Sequence, residues 1–124
     1  MNAVLWILTA VLALLFLAAG MMKIAQPKAK LAAAGQGWVE AFSDGAVKRI
    51  GALEILAALG LVLPALLHTA TALVPTAAAG LFVLMAGAAI THGRRHETPN
   101  VIINLALAIL AAGVAIARFG PYGL

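Results

Sequence analysis

Hydrophobic residues in this chain gather into four long runs, at about positions 4–22, 48–67, 73–91 and 101–117. Each run, at roughly 17–20 residues, is long enough to cross a bilayer core of about 30 Å. No water is present there to satisfy backbone N–H and C=O groups, so each spanning segment must close its own hydrogen bonds as a helix. The pattern predicts an all-α fold: an integral membrane four-helix bundle forming a single transmembrane domain over residues 1–124. The polar breaks between the runs are unequal. The first, "QPKAKLAAAGQGWVEAFSDG", is long and broken by Pro27, Gly35, Gly37 and Gly45. It has room for a short interfacial helix carrying Trp38 and Phe42, and Ser43 or Asp44 can cap the second long helix. The second break, near "LHTAT", is a tight turn followed by Pro75 in the first turn of the third helix. Proline is tolerated there because that N–H lacks a helical partner anyway. The third, "HGRRHETPN", is short and polar, with Pro99 placed to start the fourth helix.

Composition agrees with lipid as the main solvent. The 124 residues are 65% hydrophobic and only 10% charged, whereas soluble domains run nearer half apolar and a quarter charged. Absence of cysteine excludes a disulfide, a thiol redox centre and a cysteine-bound metal. The excess of basic over acidic residues does not point to nucleic acid, because the basic residues sort by membrane side instead. Lys23, Lys28, Lys30, Lys48 and Arg49 flank the first connection, Arg94 and Arg95 lie in the third, and Arg118 stands alone on the other side. The positive-inside rule then places the first and third connections in the cytoplasm and both termini outside, as expected of a multi-pass inner (cell) membrane protein. The longer connection between helices one and two is thus cytoplasmic, and the short turn between helices two and three is outer. Trp6, Phe119 and Tyr122 would sit at the outer interface and Trp38 at the inner one. Arg94, Arg95 and Arg118 read as topology markers or headgroup contacts. The opening "MNAV" lacks the basic n-region of a signal peptide, and the lysines follow the first run, so that run reads as an uncleaved helix.

Against this background Glu54 stands out, a carboxylate within the apolar run "GALEILAALGLVLP". It lies six residues past Lys48, about 9 Å deeper at 1.5 Å per residue. Insertion scales put an acid at a helix centre at roughly 2.5–3.5 kcal/mol, so a partner is required. Its helical neighbours Ile50, Gly51, Ala57 and Ala58 are mostly small, which marks a face approached by other helices. Lys23 ends the first helix after Ala19 and Gly20, and His92 ends the third above Ala88 and Ala89. Asn104 belongs to a stripe of Asn100, Asn104, Ala108, Ala111 and Ala115 at helical spacing. Lys23, Glu54, His92 and Asn104 therefore come from four helices and converge on one third of the membrane. Lys23 is the natural counter-ion of Glu54, Asn104 can donate to Glu54, and His92 can bond either end. The plainer readings are an ion pair that fixes helix order, an interfacial histidine and interhelical glue from Asn104. His68 and His96 read as solvated. His92 and His96 have metal-ligand spacing, but Gly93 and Pro99 argue against a helix through them, and no metal site is assigned.

The chain resembles the DoxX-like family of small four-helix membrane proteins over nearly its whole length. The resemblance rests on "FLAAGMMKIAQP" (16–27), "RIGALEILAALGLVLP" (49–64), and "HGRRHETPNVIINLALAIL" (92–110) followed by Arg118. It touches Gly20, Lys23, Gly51, Glu54, Pro64, His92, Asn104 and Arg118. It implies a link to membrane redox complexes, including a thiosulfate:quinone oxidoreductase, and to oxidative-stress responses. Some relatives carry cysteine pairs; their thiol chemistry does not carry over to this chain.

Three functions are open to such a chain. One is an accessory protein that binds a lipophilic molecule, such as a quinone or lipid, in an intramembrane pocket and serves a membrane redox or stress-response system. Lys23, His92 and Asn104 would meet the polar head, with Glu54 holding Lys23. Any electron transfer would belong to a partner, since no haem or flavin motif or other cofactor signature is present. The second is a membrane-embedded acid–base enzyme of isomerase or cyclase type that uses Glu54 as the catalytic group; a near lysine weakens it by favouring the ionised carboxylate. The third is a structural subunit of a larger membrane complex. A protein partner or homo-oligomer is compatible with each.

Overall fold

The computed structural model describes residues 2–33, 39, 42–120 and 123, so Trp38 and Tyr122, expected at the two interfaces, lie outside the described residues. Among these, five helices follow one another: α1 (Asn2–Ala25), α2 (Lys28–Ala33), α3 (Asp44–Leu67), α4 (Leu73–Arg94) and α5 (Thr98–Phe119). The four long ones have 22 or 24 residues and are apolar enough to span a membrane. At 1.5 Å per residue they are about 33–36 Å long, slightly more than the hydrocarbon core. They form the expected all-α bundle. Each helix outruns its apolar run by a few residues, because backbone hydrogen bonding continues past the point where hydropathy falls. Ser43 caps α3 by accepting from the Ala46 N–H at 3.1 Å. Pro99 enters at the start of α5, and Pro75 in the first turn of α4.

The first connection opens with the short helix α2; the interfacial helix expected to carry Trp38 falls mostly outside the described residues. Pro27 breaks α1, and its carbonyl accepts from the N–H groups of Lys30 and Leu31, which starts a new turn at once. Leu31, Val39 and Val47 then bury together, with Phe42 against them. This plug folds the connection back onto the base of α3. Lys48 also works locally: its Nζ donates to the Ile24 carbonyl at 3.1 Å, a cation closing the C-terminus of α1.

Packing is pairwise. α1 lies mainly on α3 and α4 on α5; α3 and α4 join the two pairs, and α1 meets α5 only lightly. The core is Leu12, Phe16, Leu61, Leu81, Met85 and Val114 with small residues between them. Outward faces are just as apolar: Leu14, Leu56, Val83, Ile109 and Ile116 are all more than 60% exposed. A soluble protein does not leave this much aliphatic surface uncovered. The chain is a multi-pass membrane protein whose solvent on that surface is lipid.

Candidate functional site

The site begins at the crossing of α1 and α3. Gly20 and Gly51 face each other so closely that a Cβ on Gly20 would lie 2.5 Å from the Gly51 carbonyl oxygen, and one on Gly51 2.8 Å from the Gly20 oxygen. Only glycine permits that approach. One turn on from each glycine stand Lys23 and Glu54, and the crossing delivers them to each other: Lys23 Nζ lies 2.6 Å from Glu54 Oε1. The carboxylate side chain is 3% exposed and the lysine 11%. An ion pair this buried is held because each charge is far more costly without the other.

A second acid–base pair forms where α4 ends. His92 is buried in the last turn, and its Nδ1 lies 2.8 Å from Oε1 of Glu97. The turn brings Glu97 back: His96 takes a left-handed backbone at φ 59, and the Glu97 N–H donates to the His92 carbonyl at 2.9 Å. Arg95 Nε lies 3.5 Å from the same carboxylate oxygen. His96, off the helix and exposed, does not share a face with His92.

Between the two pairs lies a cavity of about 430 Å³. Lys23, Glu54, His92 and Asn104 all reach its wall, so side chains from four helices converge on one space. The remaining wall is mostly apolar, with Phe42, Ile50, Leu84 and Met85 among its members and Thr91 the exception. Val83 and Gly87 line it too, and both are exposed, so the cavity opens onto the lipid-facing surface of α4. Among the described residues no hydrogen bond joins Asn104 to Glu54; Lys23 takes that carboxylate, and Asn104 stands apart on the wall.

Two residues depart from the sequence reading. Arg118 was expected as a topology marker or headgroup contact, yet it is 5% exposed. Its Nη1 donates to Asn2 Oδ1 at 2.6 Å, and its guanidinium lies 5.8 Å from the centroid of Trp6. The physical reason is register: Arg118 follows Ala111 and Ala115 at helical spacing and so continues the buried face of α5. Glu97 was passed over as part of a polar loop; its signal was a carboxylate five residues after a histidine, and the residue that turns the chain back is His96, with its left-handed backbone.

The sequence model of the DoxX-like family matches residues 7–114, a span that contains Lys23, Glu54, His92, Glu97 and Asn104. No match was found among curated proteins or among solved structures.

Proposed function

Since the chain belongs to the DoxX-like family, we propose that it binds a lipophilic molecule with a small polar head, of which a quinone is one type, in the cavity between its helices, as an accessory to a membrane redox or stress-response system. The observation that carries this reading is the cavity itself: about 430 Å³, apolar for most of its wall, with Lys23, His92 and Asn104 grouped on it. That size falls within the roughly 300–1,000 Å³ of small-molecule sites, and a few placed polar groups on an apolar wall are their usual design. Lysine and amide N–H groups suit a carbonyl or hydroxyl oxygen. Charge balance between Lys23 and Glu54 favours a neutral head over an ionised one. Glu54, held by Lys23, orients the lysine in this reading rather than reacting. The opening beside Val83 and Gly87 lets a membrane-dissolved molecule enter sideways. By the positive-inside rule, the end carrying the α1–α3 and α4–α5 connections would face the cytoplasm across an inner membrane, with both termini outside.

Gly87 provides the test. It lines the cavity, and a Cβ built there meets nothing within 4 Å. Gly87→Leu should fill the opening without disturbing the helices. Native mass spectrometry of the detergent-purified protein, with organic extraction, should find a stoichiometric lipophile on the wild type and little on Gly87→Leu. A folded wild type that carries nothing, and that takes up no added lipophile, sinks the proposal and leaves Lys23–Glu54 as a structural pair.

A further inference from the structure

A second hollow lies beside the first. It is a groove of about 370 Å³ along the seam between α3 and α4, and its wall is apolar apart from Thr76. Leu84 belongs to the walls of both hollows. One face of α4 carries the two in succession: Leu73, Ala77 and Gly80 line the groove, Leu84 lines both, and Gly87 and Thr91 line the cavity. The steps between these residues alternate between four and three, so they stand in line along the helix. α3 repeats the order, with Ala57 and Gly60 on the groove and Ile50 and Glu54 on the cavity. Leu84 is half-buried, while Gly80 and Gly87, a turn away on either side, are exposed and have nothing within 4 Å of a built Cβ. Leu84 is thus a sill between two open stretches of one track. We infer that this track holds a single-tailed lipophile, its neutral head in the cavity and one long hydrocarbon chain, prenyl or acyl, running past Leu84 into the groove.

This inference rests on the pocket reading above and adds a tail to it. From Leu84 to Leu73 the groove runs about 16 Å at 1.5 Å per residue, roughly half the thickness of the hydrocarbon core. A flexible chain can follow that course. A rigid fused-ring molecule would fill the cavity and stop at Leu84. Lipid tails are as apolar as leucine, so the chain gains no hydrophobic energy by leaving the bilayer for the groove. The groove acts by packing instead. A Cβ on Gly60 would lie 3.0 Å from that of Ala77, so α3 and α4 nearly touch at its floor. Small residues on both helices let a chain lie against the two at once, where many weak contacts add up.

Decylubiquinone carrying a diazirine at the end of its chain tests this on the purified full-length protein. Photolysis with and without excess untagged decylubiquinone isolates the saturable labelling. That labelling should fall on groove residues such as Leu53, Leu56 and Thr76, and not on Ile109 and Ile116, which are equally open to lipid on α5. Gly80→Leu fills the groove without a clash and should remove it. The preference for decylubiquinone over the same quinone without its chain should fall about fivefold in that variant, the worth of a modest number of van der Waals contacts. Saturable labelling scattered over the lipid-facing helices and indifferent to Gly80→Leu overturns the tail groove and leaves the pocket standing. A dimer that Gly80→Leu dissociates, with the groove unlabelled, overturns it in favour of a second copy on that face. A wild type with no saturable labelling, or with no more than Gly87→Leu shows, overturns the pocket reading and the tail groove together.

Discussion

The two ends of the bundle each bury charge, but they do so in different ways. At the end bearing the basic connections, Lys23 meets Glu54 and His92 meets Glu97, and Lys23, Glu54 and His92 border a cavity. At the far end Arg118 is held by the amide of Asn2 and the ring of Trp6, where α1 and α5 come together. The first arrangement sets polar groups around space; the second sets a cation into packing. Burial of charge alone therefore does not mark a site in this protein. What separates the two ends is whether the buried polar groups share a wall with a volume another molecule can fill.

The ion pair tests that distinction most strongly. Lys23→Met strands Glu54 in the membrane interior, and Glu54→Gln strands Lys23. Each should cost roughly 3–5 kcal/mol, the usual consequence of removing one partner of a buried pair. Detergent unfolding followed by circular dichroism measures it. Combining the two changes should restore most of the stability, because no charge is left stranded. Ligand retention should stay lost in the double variant, since the lysine donor is gone. If retention returns along with stability, Lys23 is structural and the two ends are alike after all.

Arg118→Met should cost roughly 1.5–3 kcal/mol, the range for a hydrogen bond made by a charged group. It should leave ligand retention unchanged, and any selective loss of ligand would show that the far end belongs to the site. Gly20→Ala and Gly51→Ala should each cost roughly 1–3 kcal/mol through overpacking where the α1 and α3 backbones touch. They should weaken binding as well, because spreading this crossing moves Lys23 away from Glu54. Thermal melts with and without an added lipophile would separate those two effects.

Much of this was legible in the sequence. The four spanning helices follow from run length alone, and the meeting of Lys23 with Glu54 follows from topology plus the small residues beside each. Helix ends were less legible. Hydropathy measures how far a segment suits lipid, whereas a helix continues until its caps, such as Ser43 on α3. The turn that Pro27 starts at Lys28 was not read from the sequence, because a proline in a polar break marks an end more plainly than a new beginning. Arg118 was misjudged because a charge near a helix end is ordinarily solvated; its register with Ala111 and Ala115 carried the better information. Glu97 was missed because its partnership depends on a left-handed residue at His96, and no helical spacing encodes that.

Asn104 offers the smallest and most selective effect. It stands on the cavity wall, half-buried, and no hydrogen bond ties it to Glu54. Interhelical polar contacts of membrane proteins average about 0.6 kcal/mol, so Asn104→Leu should change stability by no more than about that. The leucine also suits lipid and keeps the same branched outline, and the cavity beside it can take its extra volume, so the bundle has no reason to rearrange. What the substitution removes is an amide donor and acceptor aimed at the space between the helices. A several-fold loss of ligand with unchanged melting would place Asn104 with the cavity rather than with the packing. Equal losses of both would make it interhelical glue, and the contrast between the two ends would then rest on Lys23 and His92 alone.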